Sequence, residues 1–222
     1  ISKMQERIGD SFVNAIQLIL ASKGRLIVAG IGKSANIANK MVATFNSTGQ
    51  PAIFLHAADA IHGDLGSIQP DDVVICISKS GNTSEIKALL PFIKRMGNLL
   101  IALTGNMNSF LAKESNIALD VSVEKEACPN NLAPTSSTTA QLVMGDAIAV
   151  SLLACKDFTD KDFARFHPGG TLGKRLYFKV SDILSKESTP SVSITSTINE
   201  VIIEISEKRL GATAVLEKSQ LR

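Results

Sequence analysis

Two stretches of this 222-residue chain place small hydroxyl and glycine residues directly after an apolar run. In "VVICISKSGNTSE", Val73–Ile77 lead into Ser78, Ser80, Gly81, Asn82 and Thr83. In "RLIVAGIGKSANIA" a similar run leads into Gly30, Gly32, Lys33 and Ser34. Small side chains leave backbone N–H groups open, and a helix that starts at such a turn adds the positive end of its dipole. Together these features cradle a phosphate without an arginine, although Ser and Thr also serve as ordinary helix N-caps. The hydroxyl run Thr135–Thr139 precedes a long helical pattern. It reads most simply as a set of N-cap residues, with Ser136, Ser137 and Thr138 as further donors to an anion.

Acids and bases are sparse around these turns. Glu85 follows the second turn, and Glu126 lies just beyond the fifth apolar run. The default for a lone Glu is a solvated surface acid. The three histidines are His56, His62 in "HGDLG", and His167, which Pro168 and two glycines hold on a tight loop. Their separations match no compact ligand motif, so no metal site is expected. Nucleotide readings of the first turn fail. A P-loop needs glycine where Ile27 stands, and the dinucleotide fingerprint, nearly met by Gly30, Gly32 and Ala35, needs an acid where His56 stands.

The elements that must carry these turns follow from periodicity. Short β-branched runs at 25–30, 52–55, 73–78, 99–104 and 117–122 read as strands, with helices at 34–47, 83–96 and 136–155. Ile8, Phe12, Ile16 and Leu20 write one face of an opening helix. The strand runs are apolar without alternation, as when helices cover both faces of a parallel sheet. The expected fold is a doubly wound five-stranded α/β sheet of order 2-1-3-4-5, with the two turns facing each other at the switch point.

Composition sets the outer bounds. The chain is 45% hydrophobic and 20% charged with formal net charge +2, which argues against nucleic acid and anionic membrane partners. No apolar run approaches the ~20 residues that cross a bilayer, so a soluble protein is expected. Three scattered cysteines, Cys76, Cys128 and Cys155, suit a reducing, cytoplasmic setting without disulfides. After "HPGGTLGKRL" the chain turns rich in Ser and Thr. Residues 1–178 are read as one domain and 179–222 as a piece of a second, too short for its own core.

The motifs "GIGKS", "IHGDLG", "ISKSGNTSE", "KEACPNNLAPTSSTT", "MGDA" and "FHPGGTLGKRL" together resemble the sugar isomerase (SIS) family, in its arabinose 5-phosphate isomerase branch. The likeness spans roughly residues 5–180, and the tail is similar to the opening of a cystathionine-β-synthase (CBS) domain. Asn130-Asn131 departs from the Gly- and Leu-containing loop of that pattern.

The resemblance implies interconversion of ribulose 5-phosphate and arabinose 5-phosphate on the route to 3-deoxy-D-manno-octulosonate (Kdo), for lipopolysaccharide or capsule. It implies Lys33, Glu85, Glu126 and His167 as catalytic residues, and Ser78, Ser80 and Thr83 as the phosphate turn with Gly81 and Asn82. Gly32 and Ser34 join them from the first turn. His62 would reach the site of a neighbouring subunit in a homotetramer. Isomerisation through an enediol needs one carboxylate base and donors to the developing oxyanion, without cofactor or metal. Glu126 is the expected base and Glu85 the reserve. The pathway end product CMP-Kdo, with a phosphate and a carboxylate, is an expected inhibitor. The alternatives are a phosphosugar-sensing regulator, which would carry a DNA-binding module, and an isomerase of another phosphosugar.

Overall fold

A computed structural model describes residues 1–183 and 189–221. The chain divides into two compact units, Ile1–Leu172 and Gly173–Arg222.

In the first unit the elements run α1 (Ser2–Gln5), α2 (Asp10–Ala21), β1 (Leu26–Gly30), α3 (Lys33–Ser47), β2 (Ala52–His56) and α4 (Ala57–Ala60). They continue with β3 (Val73–Ser78), α5 (Ser84–Met96), β4 (Leu99–Thr104), α6 (Phe110–Glu114), β5 (Ile117–Asp120), α7 (Ser136–Cys155) and α8 (Asp160–Phe166). The five strands form one parallel sheet of order β2-β1-β3-β4-β5, as the sequence pattern requires. Successive strand residues point to opposite faces. Leu26, Val28 and Ile75 pack on one face with Met41, Phe45 and Ile148. Ile27, Ala29 and Val74 pack on the other with Ile86, Leu89 and Ile93. Each of the larger of these fully buried side chains contributes about 1.5–3 kcal/mol, and unbroken apolar runs are what two covered faces demand.

Three expectations need correction. The buried stripe of α2 is Ala15, Ile16 and Ile19, with Phe12 packed beside it. Ile8 precedes the helix and, like Leu20, is exposed, because a four-residue step drifts off a 3.6-residue face. The fifth strand ends at Asp120, whose carboxylate accepts the Ser122 N–H at 2.8 Å and turns the chain. Finally, α7 is long and apolar enough to cross a bilayer by length and composition. Its Ala140, Met144, Ile148 and Leu152 instead face the core, and its Asp146 pairs with Lys40 of α3. Gly145 lets α7 approach α3 closely, since a Cβ there would lie 2.5 Å from Met41 Cγ.

The second unit holds most of α9 (Thr171–Tyr177), then α10 (Val180–Ile183), β6 (Ser191–Ser193), α11 (Ile198–Lys208), β7 (Ala214–Glu217) and β8 (Gln220–Leu221). β6 and β7 are parallel, β7 and β8 antiparallel. A Thr197–Glu200 capping box starts α11. Ile198, Ile202 and Ile203 on that helix stay exposed. Residues 184–188 and 222 of the expected tail segment lie outside the described residues.

Candidate active site

Because all five strands run the same way, the turns after β1 and β3 open at the same edge of the sheet, between neighbouring strands. This is the switch point of a doubly wound fold. A crevice of about 280 Å³ lies there. Lys33 and Ser34 line it from the start of α3, Ser78, Lys79, Ser80 and Thr83 from the turn after β3, and Ser137 and Thr138 from the start of α7. Three helix N-termini thus meet one hollow, which favours an anion.

The β3 turn is internally braced. The Ser78 hydroxyl accepts the Gly81 N–H at 3.1 Å and lies 3.0 Å from the Thr83 hydroxyl. Gly81 adopts φ +64°, and a Cβ there would lie 2.1 Å from Ser109 Oγ, so only glycine fits. Asn82 faces away from the crevice, accepting the Phe110 N–H at 3.1 Å through its side-chain oxygen. Across the hollow, Ser34 Oγ donates to Gln141 Oε1 at 3.3 Å. Ser137 Oγ, buried at the crevice wall, has no aligned hydrogen-bond partner.

Glu126 stands behind that wall with its carboxylate wholly buried. Oε2 accepts the backbone N–H groups of Thr135 at 2.8 Å and Ser137 at 3.1 Å, and the Thr135 hydroxyl at 3.2 Å. Oε1 lies 2.6 Å from Lys79 Nζ. Burial pushes this carboxyl up, but hydrogen bonds from Lys79, Ser137 and Thr135 outweigh it and hold the group far below the usual carboxylate range. The surface-acid default is wrong for Glu126. Asn131 explains the Asn130-Asn131 departure in part: at φ +53°, which Asn tolerates, its Oδ1 accepts the Glu126 N–H at 2.7 Å.

The remaining expected residues fall elsewhere. Gly32 is the exposed N-cap of α3, and Ser136 lines a neighbouring cavity of about 550 Å³ together with Glu126. Glu85, in the first turn of α5, accepts the Ser84 hydroxyl at 2.9 Å; its own backbone N–H and that hydroxyl hold it below its ordinary value. His62 is exposed on the loop after α4. His167 follows α8, stacks on Phe163 at 3.9 Å, and has Nε2 3.2 Å from Ser47 Oγ. Ser47 ends α3 and Lys33 begins it, about 21 Å apart at 1.5 Å per residue. His167 therefore lies at the far edge of the sheet from the crevice of its own chain.

Sequence reasoning missed Lys79 and Gln141. Lys79 was inside the quoted turn, but nothing in its type distinguished it from a solvated lysine. Gln141 carried a signal, as a lone amide on the otherwise apolar face of α7.

This fold and crevice agree with the comparisons to known proteins. The SIS domain family model matches residues 19–151, and the chain belongs to the SIS-domain family. Within it the chain stands with the arabinose 5-phosphate isomerases. It is 51% identical over 219 residues to the arabinose 5-phosphate isomerase KdsD of Pseudomonas aeruginosa, covering 98% of this chain and 67% of that protein. It is 46% identical over 222 residues to the KdsD of Escherichia coli K12, covering 100% of this chain and 68% of that one. The chain thus spans about two thirds of the length of these relatives. An Escherichia coli CFT073 protein, c3406, solved in complex with arabinose 5-phosphate, superimposes with a TM-score of 0.71 at 45% identity, over 74% of this chain and 89% of that one.

Proposed function

We infer that this chain is the isomerase portion of an arabinose 5-phosphate isomerase, interconverting D-ribulose 5-phosphate and D-arabinose 5-phosphate for Kdo synthesis. The observation that carries the reading is the crevice. Three hydroxyl-bearing helix starts converge on it, with a lysine at one wall and a buried carboxylate behind another. The phosphate sits on the Ser78–Thr83 turn and the Ser137–Thr138 helix start. Glu126 takes a proton from C1 of the ketose, and the charge moves to O2, where Lys33 stabilises it. A proton passes from O1 to O2, and Glu126 returns its proton to C2, leaving the aldose. The scheme needs neither redox cofactor nor metal.

His167 performs the oxygen-to-oxygen proton transfer from a second copy of the chain, because its own crevice is out of reach. His62 acts across the same kind of boundary in a homotetramer. Inactive Lys33→Ala and His167→Ala proteins should then regain activity when mixed; no recovery would return both histidines to structural roles. CMP-Kdo is the proposed end-product inhibitor at the crevice, and the tail is the opening of a CBS unit. Calorimetric titration of residues 1–177 with CMP-Kdo tests the first, since binding that disappears with the tail would place regulation there. The enzyme itself is tested by a coupled assay on ribulose 5-phosphate, with glucose 6-phosphate and sedoheptulose 7-phosphate as controls. Turnover of the pentulose phosphate alone is expected, and preferential turnover of a control would overturn the substrate.

A further inference from the structure

The two oxygens of Glu126 are used unequally. Oε2 takes all three neutral donors, from Thr135 and Ser137. Oε1 has no aligned donor and lies 2.6 Å from the ammonium of Lys79, with the Ser137 hydroxyl also close to the carboxylate. That lysine is half exposed, with 51% of its side chain accessible, while the carboxylate is at 0%. Lys79 also lines the crevice beside Ser78, Ser80 and Thr83, and Glu126 is its one ion-pair partner among the described residues. Its backbone is fixed, since its carbonyl accepts the Gly105 N–H at 3.0 Å, but its four-carbon stem is not.

We propose that Lys79 is an exchangeable counterion: it covers Glu126 Oε1 in the arrangement seen here and transfers to the phosphate of a bound phosphosugar, uncovering Oε1 as the base. The inference rests on reading the crevice as a phosphosugar site. A phosphate in the turn carries up to two negative charges against one on the carboxylate, and lies within reach of the same flexible stem. The three bonds to Oε2 keep the carboxylate oriented when the lysine leaves. A buried carboxylate that loses its cation and gains an anionic neighbour becomes more basic. Of the other nearby cations, two are already paired. Lys3 is paired with Glu124 and Arg7 with Asp120, Lys125 lines the neighbouring cavity, and Lys33 stands on the opposite crevice wall. Substrate binding thus turns a structural carboxylate into a working one, and Lys79 is a positioning residue for both phosphate and base.

The test is a ¹³C-carboxyl NMR titration of the full chain with inorganic phosphate at neutral pH, with Glu126→Gln identifying the resonance. Phosphate should shift the Glu126 carboxyl resonance as Lys79 leaves it. In Lys79→Met the resonance should start displaced, respond less to phosphate, and phosphate should bind about tenfold more weakly. Lys79→Arg should keep the affinity. A wild-type resonance indifferent to phosphate, or a Lys79→Met protein that responds like wild type, overturns the exchange. If Lys79→Met does not fold, the wild-type titration alone decides. The readout is independent of turnover: an active isomerase with no carboxyl response sinks only the exchange, and a response without turnover sinks only the isomerase reading.

Discussion

Two carboxylates are buried at opposite edges of one sheet, Asp72 just before β3 and Glu126 beyond β5, and each is paired with a cation. Asp72 is saturated. Its Oδ1 accepts the Arg25 backbone N–H at 2.8 Å and Nε at 3.2 Å, and its Oδ2 accepts Arg25 Nη2 at 2.7 Å and the Gln69 N–H at 2.8 Å. Asn98 bonds the carbonyls around it, those of Gln69 and Asp72 both at 2.8 Å. Glu126 has one saturated oxygen and one that lies 2.6 Å from a half-exposed lysine and has no aligned donor. The planar guanidinium makes a fixed fork, whereas an ammonium on a four-carbon stem is a movable point charge. Asp72 ties β1 to β3; Glu126 is tied at one oxygen by the start of α7 and at the other by Lys79. The hollow beside Asp72 is the larger, about 620 Å³ against 280 Å³ for the crevice. Size is therefore no guide to which end does chemistry. The distinction lies in how each carboxylate's cation is held, by a fixed guanidinium fork at Asp72 and by a half-exposed ammonium at Glu126.

The comparison can be broken most sharply at Glu126. Glu126→Gln should lower kcat by about 10²–10⁴ while phosphate affinity is kept or rises, because the amide still accepts from Thr135 and Ser137 and no carboxylate competes for Lys79. Wild-type turnover in this variant would make both carboxylates structural and move the search for the base to Glu85. The mirror experiment comes next in size. Asp72→Ala should cost about 3 kcal/mol of stability in denaturant unfolding, by leaving Arg25 and two backbone N–H groups without their partner. Its kcat in the folded protein should stay near the parent's, and a large drop would mean that the far edge of the sheet communicates with the crevice.

Acid sharpens the contrast with the smallest effect. Both carboxyls sit below their ordinary values, about 4.5 for Glu126 and 3.8 for Asp72, so each adds stability that is present above that value and lost as pH falls below it. For Asp72 burial pushes the other way, and hydrogen bonds from Arg25, Gln69 and the Arg25 backbone outweigh it. Acid unfolding of Glu126→Gln should depend less steeply on pH below about 4.5 than that of the parent. Identical profiles would show that Glu126 is not held as a carboxylate by its neighbours.

Much of this molecule was legible from the chain alone. Unbroken apolar strand runs alternating with helical periods leave a parallel sheet covered on both faces as the economical burial. The right-handed crossover then restricts strand order, so β2-β1-β3-β4-β5 and the pair of switch-point turns followed. Gly81, Ser78 and Thr83 were readable because a tight turn at a strand end needs small residues and local hydroxyls, a requirement confined to a few neighbours in sequence.

What the tertiary structure decided depends on residues far apart in the chain. Glu126 looked like any surface acid until the Thr135–Ser137 helix start and Lys79, 47 positions upstream, closed around it. His167 looked like a member of the crevice until the length of α3 separated it from Lys33. Local pattern sets which elements form, because backbone periodicity and turn sterics act over a few residues. Charge state and reach are set by burial and by partners brought together through folding, and no window of sequence contains them.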